Sequence, residues 1–173
     1  MKGEVLVAGI GNIFLGDDAF GVEVIQRLSG KPQPAGIVVK DFGIRSYDLA
    51  FALMEGWDLA ILVDALPLGG EPGTVYTLEP ELPQSDTPEP PDAHSLNPVA
   101  VLQLARAMGA AAGRVLVVGC EPANVDADEE GNIGLSEPVA AAIDEAIKAI
   151  EGLIMRVRSQ IHGCIGARAS NRS

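Results

Sequence analysis

Val5-Leu6-Val7-Ala8-Gly9-Ile10-Gly11-Asn12-Ile13-Phe14-Leu15-Gly16-Asp17-Asp18-Ala19-Phe20-Gly21 is an apolar run that empties into a glycine-rich turn. Val5–Ala8 is apolar at every position, as suits a strand buried on both faces of a parallel sheet. A glycine-rich turn between a first strand and a first helix is the usual seat of a nucleotide's phosphates, which need bare N–H groups and the positive end of the helix dipole. Here Asp17 and Asp18 would set like charge against a phosphate, and Phe14 stands where the third glycine of G-x-G-x-x-G belongs. The turn suits a cation, a proton transfer or a helix N-terminus better than a nucleotide.

Downstream, strands and helices alternate. A helix is expected from about Gly21, ended by Gly30 and Pro32, and Gly36–Lys40 reads as the second strand, closing on Asp41-Phe42-Gly43. Ser46 is the expected N-cap of a helix over Tyr47–Glu55. Leu59–Val63 is a third buried strand ending on Asp64, and Thr74–Leu78 an edge strand, of antiparallel character. Residues 79–93 carry five prolines and many acids, a long loop of the kind that is usually functional, and it delivers Asp92-Ala93-His94-Ser95. Asn97 and Pro98 then start a helix to Met108. Val115–Val118 is the last strand, before Gly119-Cys120-Glu121-Pro122. Ser136 caps a final helix with Val139, Ile143, Ile147, Ile150, Ile154 and Val157 on one stripe. The succession predicts a three-layer α/β/α sandwich with a twisted, mostly parallel sheet. In such folds ligands bind at the carboxyl ends of the strands, which is where Asp18, Asp41, Asp64 and Glu121 fall.

A net charge of −12 over 173 residues argues against nucleic acid, whose binding rests on Lys and Arg, and against anionic membrane surfaces. The chain suits one domain over residues 1–157, followed by a basic, flexible tail over 158–173 whose loss should leave folding intact. Cys120 and Cys164 form no C-x-x-C pair. No apolar run reaches the ~18 residues of a membrane span, and no charged leader precedes the first strand, so a cytoplasmic protein is expected.

Imidazole and carboxylates together suit a borderline divalent ion such as nickel or zinc, and Asp18, Asp64 and His94 can each offer one ligand from a separate loop. Plainer roles compete. Asp18 can face the dipole of the next helix, and a loop histidine is often only polar surface. Asp64 is harder to explain structurally, because a carboxylate ending an apolar strand must be solvated or paired.

These residues resemble the endopeptidases that mature [NiFe]-hydrogenases. The resemblance rests on Gly9-x-Gly11-Asn12, Gly16-Asp17-Asp18-x-x-Gly21, Asp41-x-Gly43, Val63-Asp64-Ala65, His94, Glu121-Pro122 and Gly134-Leu135-Ser136, in that order to about residue 155. It implies a peptidase that removes the C-terminal extension of a hydrogenase large-subunit precursor already loaded with nickel. It also implies that Asp18, Asp64 and His94 are the metal-touching, catalytic residues, that nickel comes with the substrate, and that the free enzyme holds none tightly. Ala19, where a glycine is common, and the tail past Arg158 depart from the pattern.

Two other classes stay open at this point: a nucleotide-binding Rossmann-like module, and a chaperone that recognises the metallated precursor without cutting it. Asp126-x-Asp128-x-Glu130-Gly131 nearly fits a calcium loop, but strand and turn precede it where a helix is required. Cys120 with His94 would make a thiol nucleophile, although a cysteine at a strand end is more often a small buried hydrophobe. Asp41-Phe42-Gly43 is expected to shape the rim and receive the substrate tail.

Overall fold

β1 (Val5–Ile10), β2 (Ile37–Gly43), β3 (Leu59–Ala65), β4 (Val75–Leu78) and β5 (Arg114–Cys120) form one sheet in the order β2-β1-β3-β5-β4. All neighbours run parallel except β4, which pairs antiparallel with β5 at the edge, as its polar–apolar alternation predicts. The computed structural model describes residues 4–81, 97–110, 113–123 and 133–169.

Strand periodicity builds the layers. Val5 and Val7 of β1 face a core completed by α1 (Phe20–Ser29), α4 (Glu137–Ala141) and α5 (Ile143–Ala169). Leu6, Ala8 and Ile10 face the opposite core, closed by α2 (Ser46–Leu53) and α3 (Pro98–Ala107). β1 and β3 are therefore apolar on both faces, which is why their sequences run apolar without alternation. The expected α/β/α sandwich is what the chain adopts.

Differences from the sequence reading lie at element ends. β1, β2, β3 and β5 each continue past their predicted last residue, because the parallel ladder goes on pairing through Gly9, Asp41, Asp64 and Gly119. Asp41 and Asp64 are thus strand residues rather than loop residues. Ser46 is the first residue of α2 and Arg45 its cap, where the Arg45 guanidinium donates back to the carbonyls of Phe42 and Asp41. Asn97 caps α3 as expected, accepting from the Ala100 N–H at 2.8 Å with Pro98 at the first turn. The final helix is two helices, broken at Ala142, with Val139, Ile143, Ile147, Ile150 and Ile154 buried along one stripe. Its backbone continues through Ala169, past the expected boundary at 157.

Candidate active site

Because β2 and β3 flank β1 on opposite sides, the chain reverses its winding between the carboxyl ends of β1 and β3. A crevice opens at such a switch point. Two glycines make it close-fitting. A Cβ on Gly21 would overlap the carbonyl oxygens of Val63 and Ile10, so only glycine lets α1 start against both strands. Gly11 has φ +140° and lies against the Asp18 carbonyl, a conformation and an approach that a side chain would forbid.

The turn after β1 tightens into a 3-10 helix, Gly16–Ala19, and this separates two neighbouring acids. Asp17 points inward and is 3% exposed. It accepts hydrogen bonds from the N–H of Ala123 at 2.8 Å, the N–H of Ser136 at 2.7 Å and the Ser136 hydroxyl at 2.9 Å. Three donors satisfy the carboxylate and tie the first turn to the chain after β5 and before α4. Ser136 does sit at the N-cap of α4, but its hydroxyl is committed to Asp17 and makes no capping bond. Asp17 is therefore structural.

Asp18 points the other way. Among the described residues it accepts only the Asn12 N–H, at 2.8 Å, and burial outweighs that bond, raising its pKa above the usual carboxylate value. Asp64 is 3% exposed, and among the described residues its hydrogen-bond partner is its neighbour's N–H, that of Ala65 at 2.8 Å. Desolvation, and then the charge of Asp18, push its pKa well above the ordinary range. The two carboxylates thus face one another electrostatically, with no cationic side chain bonded to either among the described residues. Such a pair binds a proton or a cation.

The other acids at this rim differ. Glu121 accepts from the N–H groups of Leu68 at 2.9 Å and Gly69 at 3.1 Å and from the Tyr76 hydroxyl at 2.9 Å. Burial raises its pKa, but these bonds prevail and hold it below the ordinary value, while Tyr76 is raised by the same contact. It braces the chain between β3 and β4. Asp41 Oδ1 is buried and has no hydrogen-bond partner among the described residues. Cys120 is fully buried in the α1/α5 core, and burial, followed by the charges of Asp17 and Glu121, pushes its thiol up to about 11. A thiol so placed is inert at neutral pH. Cys120→Ala should keep processing within about threefold of wild type in a gel-shift assay, and mapping by mass spectrometry should find Cys120 unalkylated by iodoacetamide until the protein is denatured.

The structure brings Asp18 and Asp64 together. His94 lies outside the described residues, as does most of the near-calcium loop at 124–132. Among the described residues no group of three or more His, Cys, Asp or Glu side chains gathers at metal-binding distance. The structural part of Asp17 is not visible in the sequence, because its donors come from Ala123 and Ser136, far along the chain.

Comparison with known proteins gives a consistent answer. The family model described as hydrogenase maturation protease (HycI) matches residues 22–153. A candidate hydrogenase maturation protease of Methanocaldococcus jannaschii is 32% identical over 90% of this chain and 99% of its own length. A protein of Methanothermobacter thermautotrophicus named coenzyme F420 hydrogenase subunit delta is 31% identical over 85% of this chain and 92% of its own. The hydrogenase maturating endopeptidase HybD of E. coli superposes with a TM-score of 0.70 at 27% identity, covering 88% of this chain and 93% of that one. The family match over most of the chain and these likenesses agree, and the chain belongs to the hydrogenase maturation protease family.

Proposed function

We propose that this protease removes the C-terminal extension from a [NiFe]-hydrogenase large-subunit precursor after nickel insertion, and that Asp18, Asp64 and His94 touch the nickel carried by that substrate. The observation that supports this most is the uncompensated pair at the switch point. Asp64 is buried and destabilised as an anion by burial and by Asp18, so a divalent ion arriving with the precursor relieves both. Carboxylates and an imidazole suit nickel's borderline character. The nickel serves as a template that fixes the scissile bond and polarises its carbonyl.

The chain's own residues then have distinct parts. Asp17, satisfied by three donors, holds the turn from which Asp18 projects. Asp64 presents its carboxylate from a rigid central strand. A second reading has Asp64 as general base, favoured by its raised proton affinity, which brings it nearer the working pH. In both readings the free enzyme holds no metal tightly.

We assign the reaction to the cytoplasm, and a net charge of −12 disfavours binding to nucleic acid or to an anionic membrane surface. Among the described residues no helix is long and apolar enough to cross a bilayer. The protease relatives do not favour a nucleotide module or a non-cleaving chaperone. The test is a gel-shift of purified nickel-loaded precursor. Wild type should shorten it, whereas Asp18→Ala and His94→Ala should each slow cleavage at least ~100-fold. Full cleavage by His94→Ala would remove the histidine from the site.

A further inference from the structure

The chain has one Trp, two Tyr and four Phe, and three of these stand in the open beside the acidic crevice: Phe14 is 63% exposed, Tyr47 59% and Phe51 58%. Ile13, Leu15 and Ile44 are exposed next to them in sequence. Two elements carry this face. The 12–15 loop and the 44–51 segment meet because the Gly11 N–H donates to the Gly43 carbonyl at 3.1 Å and Ile10 pairs with Gly43.

Neither element can turn its apolar groups inward. The Phe14 N–H donates to Asn12 Oδ1 and the Leu15 N–H to the Asn12 carbonyl, while the Asn12 N–H donates to Asp18. The bonds that fix Asp18 therefore also fix the loop. In α2, Leu49, Ala50, Ala52 and Leu53 are buried, and Tyr47 and Phe51, four residues apart, share the opposite face. A helix apolar on both faces is either enclosed by its own protein or covered by another. Arg45 and Asp48, paired at 3.7 Å, place charge beside the aromatic pair, the arrangement of a hydrophobic interface centre with a polar rim.

We propose that this face docks the folded body of the protein substrate, by an apolar surface of that body, while its tail enters the crevice at Asp18 and Asp64. The proposal rests on the reading given under Proposed function. Continuity identifies the occupant. A protein whose tail reaches Asp18 must lie across one flank of the crevice, and this flank carries exposed aromatic side chains on a loop whose backbone is hydrogen-bonded to Asp18 and on the segment joined to it at Gly11 and Gly43. Recognition of the body also explains how a protease with so small a described site selects one protein among many.

The test uses Phe14→Ser and the double variant Tyr47→Ser/Phe51→Ser, with Phe14→Gln in reserve should the first fail to fold. Melting curves should match wild type, since the changed side chains are exposed. Cleavage of nickel-loaded precursor should show KM raised about tenfold or more at unchanged kcat, the mark of lost uniform binding. Large subunit lacking its C-terminal extension should bind immobilised wild type and bind the variants about tenfold more weakly. Unchanged KM and binding in both variants would overturn the docking face while leaving the protease reading intact. If the truncated subunit fails to bind wild type although precursor is cut, body recognition is wrong. If wild type neither cuts nor binds precursor, the underlying function is wrong. A wild-type dimer that the variants convert to monomer would assign the face to a second copy instead.

Discussion

Asp64→Asn is expected to abolish precursor cleavage and, at the same time, to make the protein harder to unfold at neutral pH. The amide keeps the shape of the carboxylate and can still accept the Ala65 N–H through Oδ1. It removes the negative charge that burial and Asp18 both oppose. The pH dependence follows from the direction of the shift. In the unfolded chain Asp64 titrates near 3.8, and in the folded protein well above it, so folding takes up a proton between those values. The stabilisation is fully present below the unfolded value and is lost as pH rises through the folded one. Metal-free wild type should therefore lose stability on going from acid toward neutral pH, and Asp64→Asn should lose less. A relief of ~1 kcal/mol corresponds to about 2–4 °C in a chain of this size. Melting temperatures of both proteins between pH 4 and pH 8 measure it. A lower Tm for the variant at neutral pH would mean that Asp64 is a satisfied structural acid.

Asp17→Ala should do the reverse and damage the fold. It strips the N–H groups of Ala123 and Ser136 and the Ser136 hydroxyl of their shared acceptor in a buried place. Leaving buried neutral donors without an acceptor costs about 1–3 kcal/mol each, or roughly 10 °C in Tm together. Asp18→Ala, one residue on, gives up a single backbone bond and relieves a desolvated charge, so its melting curve should stay within a few degrees of wild type. Thermal unfolding of the two variants side by side separates the structural acid from the chemical one. Equal losses would show that the turn does not divide their roles.

The architecture was legible because the central strands are apolar without alternation and the helices carry three–four stripes; Val5–Ala8 and Leu59–Val63 admit little else. The ends were less legible. Whether Asp41 and Asp64 close a strand or follow it depends on how far a neighbouring strand keeps pairing, and Asp64 pairs opposite Gly119 from far along the chain. The break at Ala142 leaves no mark in an alanine-rich run that suits helix throughout. At the site, the sequence singled out Asp64 because an acid ending a buried strand needs a reason. It named Asp18 and assigned Asp17 no separate part, because the donors that neutralise Asp17 come from positions 123 and 136. Glu121 gave the same difficulty. Its position at a strand end matches that of a site acid, but Leu68 and Gly69 of the β3–β4 connection and Tyr76 of β4 make it a brace.

The central claim is that the acids read nickel in the substrate, and one comparison tests it most directly. Wild-type protease is mixed with precursor purified with nickel and with the same precursor purified without it, and the cleavage rates are read from the gel shift. The peptide bond is identical in the two. If the ion supplies the recognition that the acid pair lacks, the nickel-free precursor should be cut about a hundredfold more slowly or not at all, a difference of roughly 3 kcal/mol in barrier. Equal rates on the two precursors would contradict the account and leave Asp18 and Asp64 as metal-independent acid–base groups.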